Sequence, residues 1–134
     1  ELDKNKKNIN RIEGMKIVPY IYNMEEMMNV ADLIVARAGA MTVTEIANLG
    51  KPSILIPLPN VSHNHQLYNA KVLENVGAAT IVLNDELTGE KLNSEIDNIV
   101  LNKEKMLNMG KDALKVSVSN VEEKIYNEIK RLVR

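Results

Sequence analysis

Ala31-Asp32-Leu33-Ile34-Val35-Ala36-Arg37-Ala38-Gly39-Ala40-Met41-Thr42-Val43-Thr44-Glu45 is the stretch that decides the fold class of this chain. Asp32 to Ala36 is a short apolar run that reads as a buried strand. Arg37-Ala38-Gly39-Ala40 follows at once, and Gly39 permits a positive φ or a close approach of backbone. Helical spacing then begins. Val43, Ile46, Ala47 and Leu49 form an apolar stripe, and Gly50 is placed to end it.

The same unit recurs downstream. Pro52 cannot extend the helix, and Ser53 to Pro57 reads as a second buried strand. A loop over Pro57, Pro59 and Asn60 leads to a helix over about His65 to Val76, stopped by Gly77. Ala79 to Leu83 is a third strand. Thr88 is an N-cap, with Leu87 and Leu92 spaced as a hydrophobic staple, and Leu92, Ile96, Ile99 and Val100 line one helical face. Ser119 and Glu122 have capping-box spacing, ahead of a stripe of Val121, Ile125, Ile129 and Leu132. Upstream, Met15 to Pro19 has the β-branched character of a short strand, and Glu25 to Val30 reads as a helix turning Met24, Met27 and Met28 to the core. Residues 1–14 read as a loop or a weak exposed helix. Strands alternating with helices predict an α/β fold, a Rossmann-like parallel sheet with flanking helices and a helical end over about residues 88–134. The strands are too few for a complete doubly wound domain, so the missing ones are expected upstream of Glu1.

Composition bounds the rest. The chain of 134 residues suits one domain, and 45% hydrophobic content supports a packed core rather than disorder. The net charge of -1 gives no reason to expect nucleic acid as a partner. The absence of Cys excludes a disulfide framework, a thiolate zinc site and a Cys nucleophile. The apolar runs are too short to cross a bilayer, and the polar start is no signal peptide.

In a parallel sheet, ligands sit beyond the carboxyl ends of the strands. Two loops qualify. In the first, Ala36 to Thr42, small residues leave backbone uncovered at a helix N-terminus, where free N–H groups and the dipole suit phosphate. Thr42 adds a hydroxyl, and Glu45, three residues on, shares its helical face. A carboxylate there can accept two hydrogen bonds from a vicinal diol such as a ribose. Taken alone, these residues are more often a plain tight turn and a solvated helix carboxylate, since Gly-Ala turns before helices are common. The second loop, Pro57 to Gln66, is long for its position and rich in Asn, His and Gln, which suit sugar hydroxyls. It fits as well a helix N-terminus capped by Asn60, Ser62 or Asn64. His63 and His65 are spaced poorly for a metal, and none is expected.

Several of these segments, in order, resemble the MurG-type glycosyltransferases. They are Ala31 to Glu45, Gly50-Lys51-Pro52-Ser53-Ile54-Leu55-Ile56-Pro57, His65-Gln66-Leu67-Tyr68-Asn69-Ala70, and Glu74 to Ala79. The resemblance covers about residues 18–134. It implies the GT-B fold, two Rossmann-like domains facing across a cleft, with this chain as the later part of the C-terminal, UDP-GlcNAc-binding domain. By position, Ile21 would contact the uracil through its backbone, with Met24 near it. Ala40, Met41 and Thr42 would line the nucleotide, and Glu45 would hold the ribose hydroxyls. Gln66, with His65 beside it and Asn69 further along, would meet the GlcNAc. The family usually has two successive Gln there, and His65 stands in place of the first.

The family transfers GlcNAc with inversion onto a lipid-linked muramyl-pentapeptide at the inner face of the cell membrane, without an essential metal or other cofactor. The Gly-rich loop that opens the donor domain and the whole acceptor domain, with its proposed general base, are absent from this stretch, so no catalytic residue is assigned and the chain alone is expected to be inactive. A truncated sheet exposes an unpaired edge, which predicts self-association or a rearrangement of residues 1–20. Three other readings compete: a donor-binding subunit that needs a separate membrane partner, a fragment of a UDP-GlcNAc 2-epimerase, and a domain whose loops hold no ligand.

Overall fold

The computed structural model of the chain describes residues 13–60, 62–117 and 121–133. Three short parallel strands form the sheet of the described residues: β1 (Ile34–Ala36), β2 (Ser53–Leu55) and β3 (Ala79–Ile81), side by side in chain order. Ile34 pairs with Ser53, and Ser53 with Ala79. The ladder runs a residue further, since Ile56 N donates to Ala36 O at 2.9 Å and Val82 N to Leu55 O at 3.0 Å.

Six α-helices accompany the strands among the described residues: α1 (Met24–Val30), α2 (Ala40–Leu49), α3 (His65–Glu74), α4 (Gly89–Val100), α5 (Lys103–Leu114) and α6 (Val121–Leu132), with one 3-10 turn over Ser62–Asn64. β2 is buried along its whole length, and its alternate side chains serve two cores. Leu55 packs with Met28, Val43, Ile46, Ala70 and Leu73 from α1, α2 and α3. Ile54 and Ile56 pack with Val82, Ile99 and Met109, on the face covered by α4 and α5. That arrangement requires a strand apolar on both faces, which is how Ser53 to Pro57 reads.

The helix boundaries follow local chemistry. Gly50 takes the left-handed conformation (φ 62) that closes α2, and its N–H reaches Ala47 O. Thr88 caps α4, its hydroxyl accepting from Lys91 N at 3.0 Å. Leu87 and Leu92 both pack against the second core, as a staple would place them.

Several expectations are corrected. Met15 to Pro19 forms no strand; Met15, Ile17 and Val18 are exposed, and none of them joins the sheet. Of the three methionines assigned to the core, only Met28 is buried, while Met24 and Met27 stay half-exposed. β1 is an edge strand among the described residues, and Val35 is half-exposed against the cleft rather than doubly buried. Gly39 has φ -64, so it needs no left-handed freedom. The α6 stripe exists, but Ile125, Ile129 and Leu132 are exposed rather than packed. Residues 1–12 and the Ser119 cap lie outside the described residues.

Candidate functional site

The carboxyl ends of β1 and β2 open onto the two loops that the sequence singles out. At the first, the chain leaves β1 at Ala36 and enters α2 at Ala40, with Gly39 extended at the N-cap. No side chain among the described residues caps this helix. The amides of Ala40, Met41 and Thr42 precede the first intrahelical bond, from Val43 N to Gly39 O at 3.0 Å. The partial positive charge of the helix end is therefore met by no side-chain cap bond among the described residues.

A cleft of about 490 Å³ lies against α1, β1 and α2, walled by Ile21, Met24, Met27, Leu33, Thr42 and Glu45 among others. Its lining is mostly apolar, and Thr42 and Glu45 bring a hydroxyl and a carboxylate to one side of it. The three-residue spacing of that pair puts both on the face turned to the cleft. Tyr20 and Tyr22, flanking Ile21, pack edge to face with ring centroids 4.9 Å apart. Four of the sequence-predicted residues (Ile21, Met24, Thr42 and Glu45) are thus brought together. Ala40 and Met41 are not in the wall; the Met41 side chain is 79% exposed.

The second loop is built on strain. Asn60, His63 and Asn64 all take positive φ, about 53–60°, which costs non-glycine residues energy that the surroundings must offset. Asn64 stands at the N-cap of α3 with no side-chain cap bond, so of the three caps the sequence offers, that by Asn64 does not form. His65, Gln66 and Asn69 lie on the first turns of α3, away from the first cleft. The Gln66 Oε1 accepts from Leu58 N at 2.9 Å, and the Asn69 Nδ2 donates to Ala38 O at 3.0 Å. These side chains hold the two loops to one another. The remaining amide group of Gln66 and the exposed His65 ring carry no such bond among the described residues.

Sequence reasoning missed Arg37 and Asn84. The Arg37 guanidinium donates to Ile56 O at 3.2 Å and to Asn84 Oδ1 at 2.8 Å. Its one legible sign is a cation ending an apolar strand. A second, larger cleft of about 550 Å³ opens at the amino end of β3, between Gly77, Ala79 and the α5 residues Asn108 and Asp112. It lies at the end of the sheet opposite the βα loops, where parallel sheets do not hold their ligands.

The model of the glycosyltransferase family 28 C-terminal domain matches residues 1–125. The chain belongs to this family. A family 28 relative from Thermoanaerobacter sp. (strain X514) is 45% identical over 120 residues, covering 90% of this chain and 33% of the relative. One from Desulforamulus reducens is 47% identical over 116 residues, 87% of this chain and 31% of the relative. Both are named UDP-N-acetylglucosamine--N-acetylmuramyl-(pentapeptide) pyrophosphoryl-undecaprenol N-acetylglucosamine transferase. The chain therefore spans about a third of the length of these curated relatives.

Among solved structures, Acinetobacter baumannii MurG superposes with a TM-score of 0.74 at 34% identity, over 87% of this chain and 33% of that one. The glycosyltransferase VinC, solved with DTDP, gives 0.71 at 15% identity over 98% of this chain and 33% of that one, a likeness of fold alone. The family 28 assignment and the MurG superposition bear out the expected fold, the Rossmann-like C-terminal domain of a GT-B glycosyltransferase.

Proposed function

We propose that the chain is the donor-binding part of an inverting glycosyltransferase that takes GlcNAc from UDP-GlcNAc and adds it to undecaprenyl-pyrophosphoryl-muramyl-pentapeptide. The observation that carries this reading is the meeting of Ile21, Met24, Thr42 and Glu45 around one cleft, next to an α2 N-terminus that no side chain caps. A flat base suits the apolar wall, a ribose diol suits the Glu45 carboxylate, and a diphosphate suits the amides of Ala40 to Thr42. Glu45 accepts both ribose hydroxyls, which are donors. The Ile21 backbone reads the uracil edge, with Met24 against the ring. The GlcNAc extends toward α3, where His65, Gln66 and Asn69 stand.

In the transfer, the muramyl hydroxyl attacks the anomeric carbon as UDP departs. The helix end meets the negative charge growing on the diphosphate. No metal is called for, and no catalytic base is assigned here. The base and the acceptor site belong to the rest of a longer protein, so the chain alone is inactive. That protein works in the cytoplasm, at the inner face of the membrane. No helix among the described residues is long and apolar enough to cross a membrane. The edge of β1, unpaired among the described residues, gives the isolated chain a route to self-association.

Chemical-shift mapping with UDP-GlcNAc, UDP and ADP tests the donor reading. Uridine-selective shifts at Ile21, at Ala40 to Glu45 and at His65 to Gln66 are expected. Equal responses to UDP and ADP, or shifts centred on the amino-end cleft at Asn108, would refute it.

A further inference from the structure

The hydrogen bonds around the two loops close a ring. Ala38 O accepts from Asn69 at the start of α3, and Gln66, one turn earlier, accepts from Leu58 N. Leu58 follows Ile56 in the loop after β2, and Ile56 O accepts from Arg37, which is bonded covalently to Ala38. The same guanidinium reaches Asn84 in the loop after β3, 47 residues away in sequence. One side chain thus touches all three loops at the carboxyl edge of the sheet. Among the described residues no carboxylate pairs with Arg37 within 4 Å. Its charge is spent on two neutral acceptors, and such charge-assisted bonds are stronger than neutral ones. A planar fork can serve both acceptors from a single nitrogen while keeping fixed geometry, which an ammonium on a flexible stem cannot match.

We propose that Arg37 is a positioning residue, which ties the loop after β2, and through it the first turn of α3, to the turn that opens α2. It touches no donor atom. It keeps the sugar-facing residues of α3 in register with the nucleotide-facing residues of α2, and this role rests on the donor reading given above. Removing it opens the ring at the one member that also reaches the third loop. Binding of the nucleotide half, which α1 and α2 supply, then survives, while the contribution of the sugar falls.

The test compares Arg37→Met, Arg37→Lys and Asn84→Leu in the full chain, by amide hydrogen exchange without ligand and by affinity for UDP and for UDP-GlcNAc. In Arg37→Met the Leu58 amide exchanges about ten times faster, as loss of a charge-assisted bond implies, while Ile46 in α2 is unchanged. The affinity ratio of UDP-GlcNAc to UDP falls about five-fold or more, with UDP alone altered by less than about two-fold. Arg37→Lys recovers part of both effects, and Asn84→Leu, which leaves Arg37 in place, reproduces part of them should Arg37→Met fail to fold. Equal weakening of UDP and UDP-GlcNAc, or an unchanged Leu58 exchange rate, would overturn the proposal. If the unaltered chain binds neither ligand, the donor reading fails, and the exchange rate at Leu58 alone then decides whether the tie exists.

Discussion

Replacing Gly110 by Ala tests the packing that holds the domain together. Gly110 lies in α5 where that helix crosses the end of α2, and a Cβ added to it would stand 2.7 Å from the carbonyl oxygen of Gly50. Ordinary contact begins near 3.4 Å, so the two backbones would have to part by about 0.7 Å. Neither is free to do so. Gly50 is fixed in its left-handed turn, with its own N–H bonded to Ala47 O and the next amide, Lys51 N, to Ile46 O at 3.1 Å. Overpacking costs about 1–3 kcal/mol, and the upper end applies where both atoms are backbone. Ala gains about 1 kcal/mol over Gly in helix propensity. The net loss is therefore about 2 kcal/mol, a fall of several degrees in Tm. Urea denaturation followed by circular dichroism measures it. Gly89→Ala is the control, because nothing lies within 4 Å of its Cβ and it sits in the first turn of α4. That variant should be neutral or up to about 1 kcal/mol more stable. A Gly110→Ala protein as stable as Gly89→Ala would refute the close crossing of α2 and α5.

Two further substitutions read single interactions. Ser53 is fully buried in β2 and its hydroxyl has no hydrogen-bond partner among the described residues, so Ser53→Ala should stabilise the chain by about 1 kcal/mol in the same denaturation assay. Thr88→Ala removes the cap on Lys91 N and should cost about 1 kcal/mol, with Thr88→Asp restoring most of it.

Much of this was legible in local pattern. The β1 turn, the stripe of α2 and the Gly50 stop are short-range features, and each falls where its residues place it. Thr42 and Glu45 were legible as a pair for the same reason, since three residues along a helix fix a shared face. What escaped depends on long-range partners. Ile17 and Val18 have strand character, but a strand exists only through the ladder it joins, and they join none among the described residues. Met24 and Met27 have helical spacing, which does not say that the surface they meet is a cleft rather than a core. Gln66 reads as a sugar contact, yet one of its acceptor positions is taken by Leu58 N. The bond from Arg37 to Asn84 spans 47 residues and leaves no periodic trace.

The role of Glu45 in holding a ribose is the most direct test of the donor reading. Calorimetric titration of the chain and of Glu45→Ala with UDP and with 2′-deoxy-UDP gives a four-member cycle. In the unaltered chain, loss of the 2′-hydroxyl should weaken binding by about ten-fold or more, because a hydrogen bond to a charged group is worth about 1.5–3 kcal/mol. In Glu45→Ala the two nucleotides should bind alike. A 2′-deoxy penalty of the same size in both proteins would mean that Glu45 does not touch the ribose, and would contradict the account.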